Sequence, residues 1–166
     1  MSYINQEELV MKRDNNLKST SWQHHDELLG CLLIKKGVQK KADISLLTDF
    51  TNIFWKDDLQ KHIEAEETIL IPFLAKHRFE DKYISMMKTD NSIIKSVFDR
   101  LNKFDHRHKV FEIFANLVEQ HIRFKERFIF GKVQELLSEK ELEELGLQLP
   151  NIRSKKCTDY PVKFWE

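Results

Sequence analysis

At 166 residues the chain is long enough for one domain with a sizeable core. Four glycines and three prolines are too few for the turns of an all-β fold of this length. The 27 basic and 27 acidic side chains cancel, which argues against a generic nucleic-acid or anionic-membrane surface.

Cys31 and Cys157 form no disulfide framework, so a reducing compartment is expected. Met1 to Leu17 lacks the apolar stretch of a secretory signal. The longest apolar run, Ile69 to Ala75, contains Pro72 and is too short to span a bilayer. The chain therefore reads as a soluble cytoplasmic protein that binds neither nucleic acid nor membrane.

Near the N-terminus, Asn5 to Lys12 fits a short amphipathic helix. The first long helix is expected from about Thr20 to Lys40, with Leu28, Leu29, Leu32, Leu33 and Ile34 as its apolar content. The second opens near Asp43, an N-cap residue type, and carries Ile44, Leu47, Phe50, Phe54, Leu59, His62, Glu66, Ile69 and Phe73. Pro72 is expected to kink or end it. A third helix, about Glu80 to Lys103, holds Ile84, Met87, Asn91, Ile94, Phe98 and Leu101 in one stripe. The fourth starts near Asp105 and has the clearest stripe: Val110, Ile113, Phe114, Leu117, His121, Phe124 and Phe128. Ser138-Glu139-Lys140-Glu141 has the form of a capping box that opens a short helix ending at Gly146. The remaining tail carries Tyr160, Phe164 and Trp165, an aromatic set suited to docking on the helices.

The expectation is an all-α fold, an antiparallel up-down-up-down four-helix bundle with a C-terminal short helix and aromatic tail. It forms one domain over residues 1–166, with its core at about 19–137 and its tail at 138–166.

The chemistry concentrates in His62-Ile63-Glu64-Ala65-Glu66-Glu67-Thr68-Ile69-Leu70-Ile71-Pro72. His62 and Glu66 are four apart, so on a helix they share a face, and that face is apolar. A carboxylate aimed at a core is costly unless it is paired or bound to a metal. His121 lies in a similar apolar setting, and HIEAEETILIPF and HIRFKERFIFGK form a weak internal repeat.

With Gln23-His24-His25 opening the first long helix, and His121-Ile122-Arg123-Phe124 leading into Phe130-Gly131, these motifs resemble the hemerythrin-like, or HHE cation-binding, family. The resemblance covers about residues 19 to 137. It implies a four-helix bundle around a non-heme, usually di-iron, centre with histidine and bridging carboxylate ligands. Family roles include oxygen binding, oxygen or nitric-oxide sensing and iron–sulfur repair. Carried over by position, the metal ligands are one of His24 and His25, then His62, Glu66 and His121.

Two positions depart from the pattern. The buried histidine of the third helix is matched by Asn91. The carboxylate four residues after His121 is matched by Lys125, with Glu126 one residue later. Some hemerythrins use that longer spacing, although on a regular helix Glu126 points about 140° away from His121. This inventory is adequate for one metal and thin for two. Lys125 suggests a sharper expectation: its ammonium pairs with Glu66 and replaces the positive charge of a missing metal.

The leading reading is a bundle holding non-heme iron, as one or two ions, or another divalent metal. It would bind or sense a diatomic gas or handle iron. The alternative is a degenerate, metal-free bundle that acts as an interaction module; a single-metal oxidase-like enzyme is a third. Hydrolytic or transferase catalysis is not expected, and the oligomeric state is left open. Other features have plainer readings. His77, His106 and His108 are assigned to the surface and Cys31 to the core. Glu139 to Glu144 is a solvated helix face, and Trp22, Phe54, Trp55 and Phe128 are core aromatics.

Overall fold

The computed structural model describes residues 12–104, 106–152 and 156–166. The expected helix at Asn5 to Lys12 lies almost wholly outside the described residues, and so does Asp105. The described residues form helices and no strand. Helix α1 is Lys18–Gln39. Helix α2 is built from five consecutive pieces, Ile44–Phe54, Trp55–Leu59, Gln60–Ala65, Glu66–Leu70 and Ile71–Lys76. Helix α3 is Asp81–Lys103, and α4 joins His108–Phe124, Lys125–Ile129 and Phe130–Leu136. Helix α5 is Glu139–Gln148.

The helix ends follow local chemistry. Lys41, at φ 55°, takes the chain out of α1, and Asp43 caps α2 by accepting from the Ser45 N–H. Arg78, at φ 64°, plays the same part after α2. Ser138 and Glu141 form the expected capping box of α5, which runs two residues past Gly146 to Gln148.

Three wide, π-type turns interrupt the regular ladders, at Trp55–Leu59, Glu66–Leu70 and Lys125–Ile129. Each closes with a bond from residue i+5, such as the Phe130 N–H to the Lys125 carbonyl. The second bears on Pro72, expected to kink or end α2: the helix is interrupted just before it but does not end there. That proline follows a turn already opened out, so its missing N–H and bulky ring do not stop α2, which continues to Lys76.

Helix α4 packs on both α1 and α3. The buried apolar residues fall into two clusters. One takes Cys31, Leu33 and Ile34 of α1, Leu47 to Ile63 of α2, Ile94 and Leu101 of α3, and Val110 to Ile122 of α4. The other takes Leu17, then Leu70 to Leu74 of α2, Ile84 and Met87 of α3, and Ile129 to Val133 of α4, with Leu142 and Leu145 of α5. Helices α1 and α3 thus run from the second cluster to the first, and α2 and α4 from the first to the second. At the level between the clusters, all four carry buried polar side chains instead of apolar ones.

The aromatic tail docks. Phe164 and Trp165 are buried, with ring centroids 5.2 and 6.1 Å from Phe50. Tyr160 donates a 2.6 Å hydrogen bond to Asp49. Some apolar residues face solvent: Leu32, Ile113 and Trp22, the last 46 % exposed against its expected core position. Each stripe is wider than the face its neighbours cover. Among the described residues no helix is long and apolar enough to cross a membrane.

Candidate metal centre

The polar layer is built by one stretch from each long helix. Helix α1 supplies His24 and Glu27, α2 supplies Asp58, His62 and Glu66, α3 supplies Asn91, and α4 supplies His121, Lys125 and Glu126, all buried. Of the two first-helix candidates, His24 enters this layer. His25 does not: it is half-buried and packs edge-on against Trp22 at 5.9 Å.

The three buried imidazoles share one arrangement. Nδ1 of each faces a carboxylate: Glu126 at 2.5 Å from His24, Glu27 at 3.2 Å from His62, and Asp90 at 3.0 Å from His121. A carboxylate there favours a proton on Nδ1 and turns Nε2 toward the interior. The Nε2 atoms of His24 and His62 are 3.3 Å apart. Nε2 of His62 lies 3.4 Å from Glu66 Oε2, and Nε2 of His121 lies 3.2 Å from Glu66 Oε1. Imidazoles held from behind by carboxylates, with two of the other nitrogens meeting a further carboxylate, are of the donor types and outer support that a metal site uses.

Lys125 reaches into the same space. Only 1 % of its side chain is exposed, and Nζ lies 2.5 Å from His62 Nε2 and 2.6 Å from Glu66 Oε2. Lys125 thus stands between His62 and Glu66, in contact with both. Asn91 donates to Glu66 Oε1 at 3.4 Å, while its own amide oxygen is buried without a hydrogen-bond partner.

Glu126 also faces inward, against the regular-helix expectation. The wide turn Lys125–Ile129 begins between His121 and the rest of α4 and fits one more residue onto the interior face. Lys125, four residues after His121, keeps the regular interior face, and Glu126 is buried beside it. Arg13, from the segment before α1, holds Glu126 through bonds of 2.6 Å to its carbonyl and 3.1 Å to Oε2.

Burial opposes charge throughout this layer, and the neighbours decide the outcome. For His24, burial and then Lys125 push the ring down to about 4, which leaves it neutral and able to bind a cation. For His62, burial is outweighed by the adjacent Glu27, which holds the ring up to about 9. Burial alone would raise Glu27, but the His62 ring beside it holds it to about 2. Glu66 is kept well below the usual carboxylate range despite burial, first by Lys125 and then by His121.

Glu27, Asp90 and Arg13 were not among the sequence candidates. Glu27 had a signal, three residues after His24 and so on the same face. Asp90 and Arg13 had none, because their roles depend on the packing of separate segments. His24, Glu27 and His62 offer ligand atoms within 4.8 Å of one another. Neither oxygen of the Glu27 carboxylate has an aligned hydrogen bond. Its position behind Nδ1 suits it to orienting His62. The donors together fit one cation, whereas Asn91 and Lys125 stand where ligands for a second would be needed.

The remaining histidines lie elsewhere. His106 is exposed as expected, whereas His77 and His108 are part-buried. His77 stacks on Phe73 and pairs with Glu141 at 3.1 Å, and His108 bonds the Ala42 carbonyl. The family model for the hemerythrin HHE cation binding domain matches residues 20–133. No curated protein and no solved structure matches the chain.

Proposed function

The chain belongs to the hemerythrin HHE cation-binding domain family, and from that premise we propose that it holds a single transition-metal ion, most simply iron, inside the helices. His24, His62, His121 and Glu66 are the ligands in this reading. Its frame is a single-domain up-down-up-down bundle, supported by the alternating order in which the four long helices meet the two apolar clusters. The observation that carries it is the meeting of the His62 and His121 Nε2 atoms at Glu66, with the His24 Nε2 atom 3.3 Å from that of His62 and each ring backed by a carboxylate on Nδ1. Imidazole with carboxylate suits iron and neighbouring divalent metals. When bound, the ion would supply a Lewis-acidic, redox-active centre for a diatomic ligand such as oxygen or nitric oxide, or would itself be stored. The protein's own part is to hold the rings, keep His24 neutral and surround the centre with apolar clusters.

Metal per chain, measured by mass spectrometry on protein made with iron and purified without chelators, tests this. About one ion is expected, lost in His62→Ala and in Glu66→Ala. About two would overturn the single-ion reading and bring Glu126 in as a ligand.

One observation favours a second reading. The ion pair of Lys125 with Glu66, at 2.6 Å, already answers that carboxylate, as a metal-free bundle acting through its surface would require. No bound metal in a folded protein would select it.

A further inference from the structure

We propose that Lys125 is the protein's internal cation: it occupies the metal position between His62 and Glu66, and a metal ion binds only by displacing it. The inference deepens the single-ion reading by naming what controls the site, and it rests on the same donor set.

The argument begins with charge. Glu66 is buried at the level where both apolar clusters end, and an uncompensated carboxylate there is strongly unfavourable. Asn91 offers it only a neutral amide at 3.4 Å. The Arg13 guanidinium is engaged with Glu126. Lys125 Nζ, at 2.6 Å, makes the shortest contact to Glu66 and also takes the Nε2 atom of His62. Those are two of the atoms a metal would need.

Space makes the two states exclusive. The cavity beside these groups, bordered by Thr20, His24, His62, Glu66, Lys125 and Pro150, is only about 20 Å³. That is room for about one water molecule. An ion on His62 and Glu66 and the Lys125 amino group cannot share it. The helix fixes the competition in place, since Lys125 lies four residues after His121, its N–H bonded to the His121 carbonyl, and so shares its interior face.

Two variants test the proposal. Lys125→Met keeps an unbranched side chain and removes the charge, and Lys125→Glu restores a carboxylate. Chelator-treated wild type and both variants are titrated with Co2+, whose visible bands report imidazole and carboxylate ligation. Thermal melting is followed by circular dichroism with and without Co2+. The variants are expected to bind Co2+ at least about tenfold more tightly than wild type. They are also expected to melt lower than wild type without metal and to be raised further by Co2+. A Lys125→Met protein that folds only with Co2+ supports the proposal, and one that folds in neither condition overturns it.

The two readings fail separately. Wild type that binds no Co2+ while Lys125→Met binds it retires the single-ion reading and keeps Lys125 as the internal cation. Equal Co2+ affinity in wild type and Lys125→Met overturns the role of Lys125 and leaves the single-ion reading standing.

Discussion

Each histidine of the polar layer depends on the group behind it. Glu27 orients His62 from 3.2 Å, and its loss would free the ring to turn and shift the proton between nitrogens. Glu27→Gln is therefore expected to weaken metal affinity by about 10- to 100-fold while the helices remain, as measured by Co2+ titration and circular dichroism. A second expectation concerns protons in the metal-free protein. The folded chain protonates His24 only near 4, whereas the unfolded chain does so near the ordinary 6.5. The unfolded state thus binds more protons between these values, and stability falls as pH drops from 6.5 through 4. The loss from this ring reaches about 3 kcal/mol. Urea unfolding of His24→Gln across this range should show that arm of the profile flattened; an unchanged profile would mean that His24 is not held neutral.

At the scale of elements, close packing of α1 on α2 depends on Gly30. A Cβ there would lie 2.3 Å from the Phe54 ring, in the middle of the first apolar cluster. Gly30→Ala is expected to cost about 1–3 kcal/mol. Gly131 in α4 has open space where a Cβ would go, so Gly131→Ala is expected to gain up to about 1 kcal/mol from helix propensity. Denaturant midpoints of the two variants should move in opposite directions. The wide turn in α4 is the element the sequence conceals. The spacing His121-Lys125-Glu126 suggests that four-residue and five-residue neighbours compete for one interior position. The opened turn admits both, because widening the ladder alters the angular step for those residues alone.

For the whole molecule, the polar layer separates two apolar clusters, and the C-terminal tail covers one end of the first. Phe164 sits against Gly37 and Phe50, in the cluster that begins one turn beyond Glu27 on α1. Phe164→Ala is expected to cost about 3–5 kcal/mol through the cavity it leaves. Metal per chain should not change, since no ligand touches that ring; loss of metal along with stability would show that the tail and the centre are one cooperative unit.

The sequence by itself determined that the protein is helical, where the long helices run to within a few residues, and that His62, Glu66 and His121 belong to one face of their helices. Periodicity of three and four carries that information, because it arises within a single helix and needs no partner. It also singled out Lys125 as the intruder in the motif. Only the tertiary structure placed His24 and not His25 in the polar layer, since adjacent residues on a helix differ by about 100° and the neighbouring helices cover one side. Pro72 ends nothing because the opened turn before it removes the conflict. Asp90, Glu27 and Arg13 become supports of the centre only when separate segments meet, and no local pattern records which carboxylate will stand behind which ring.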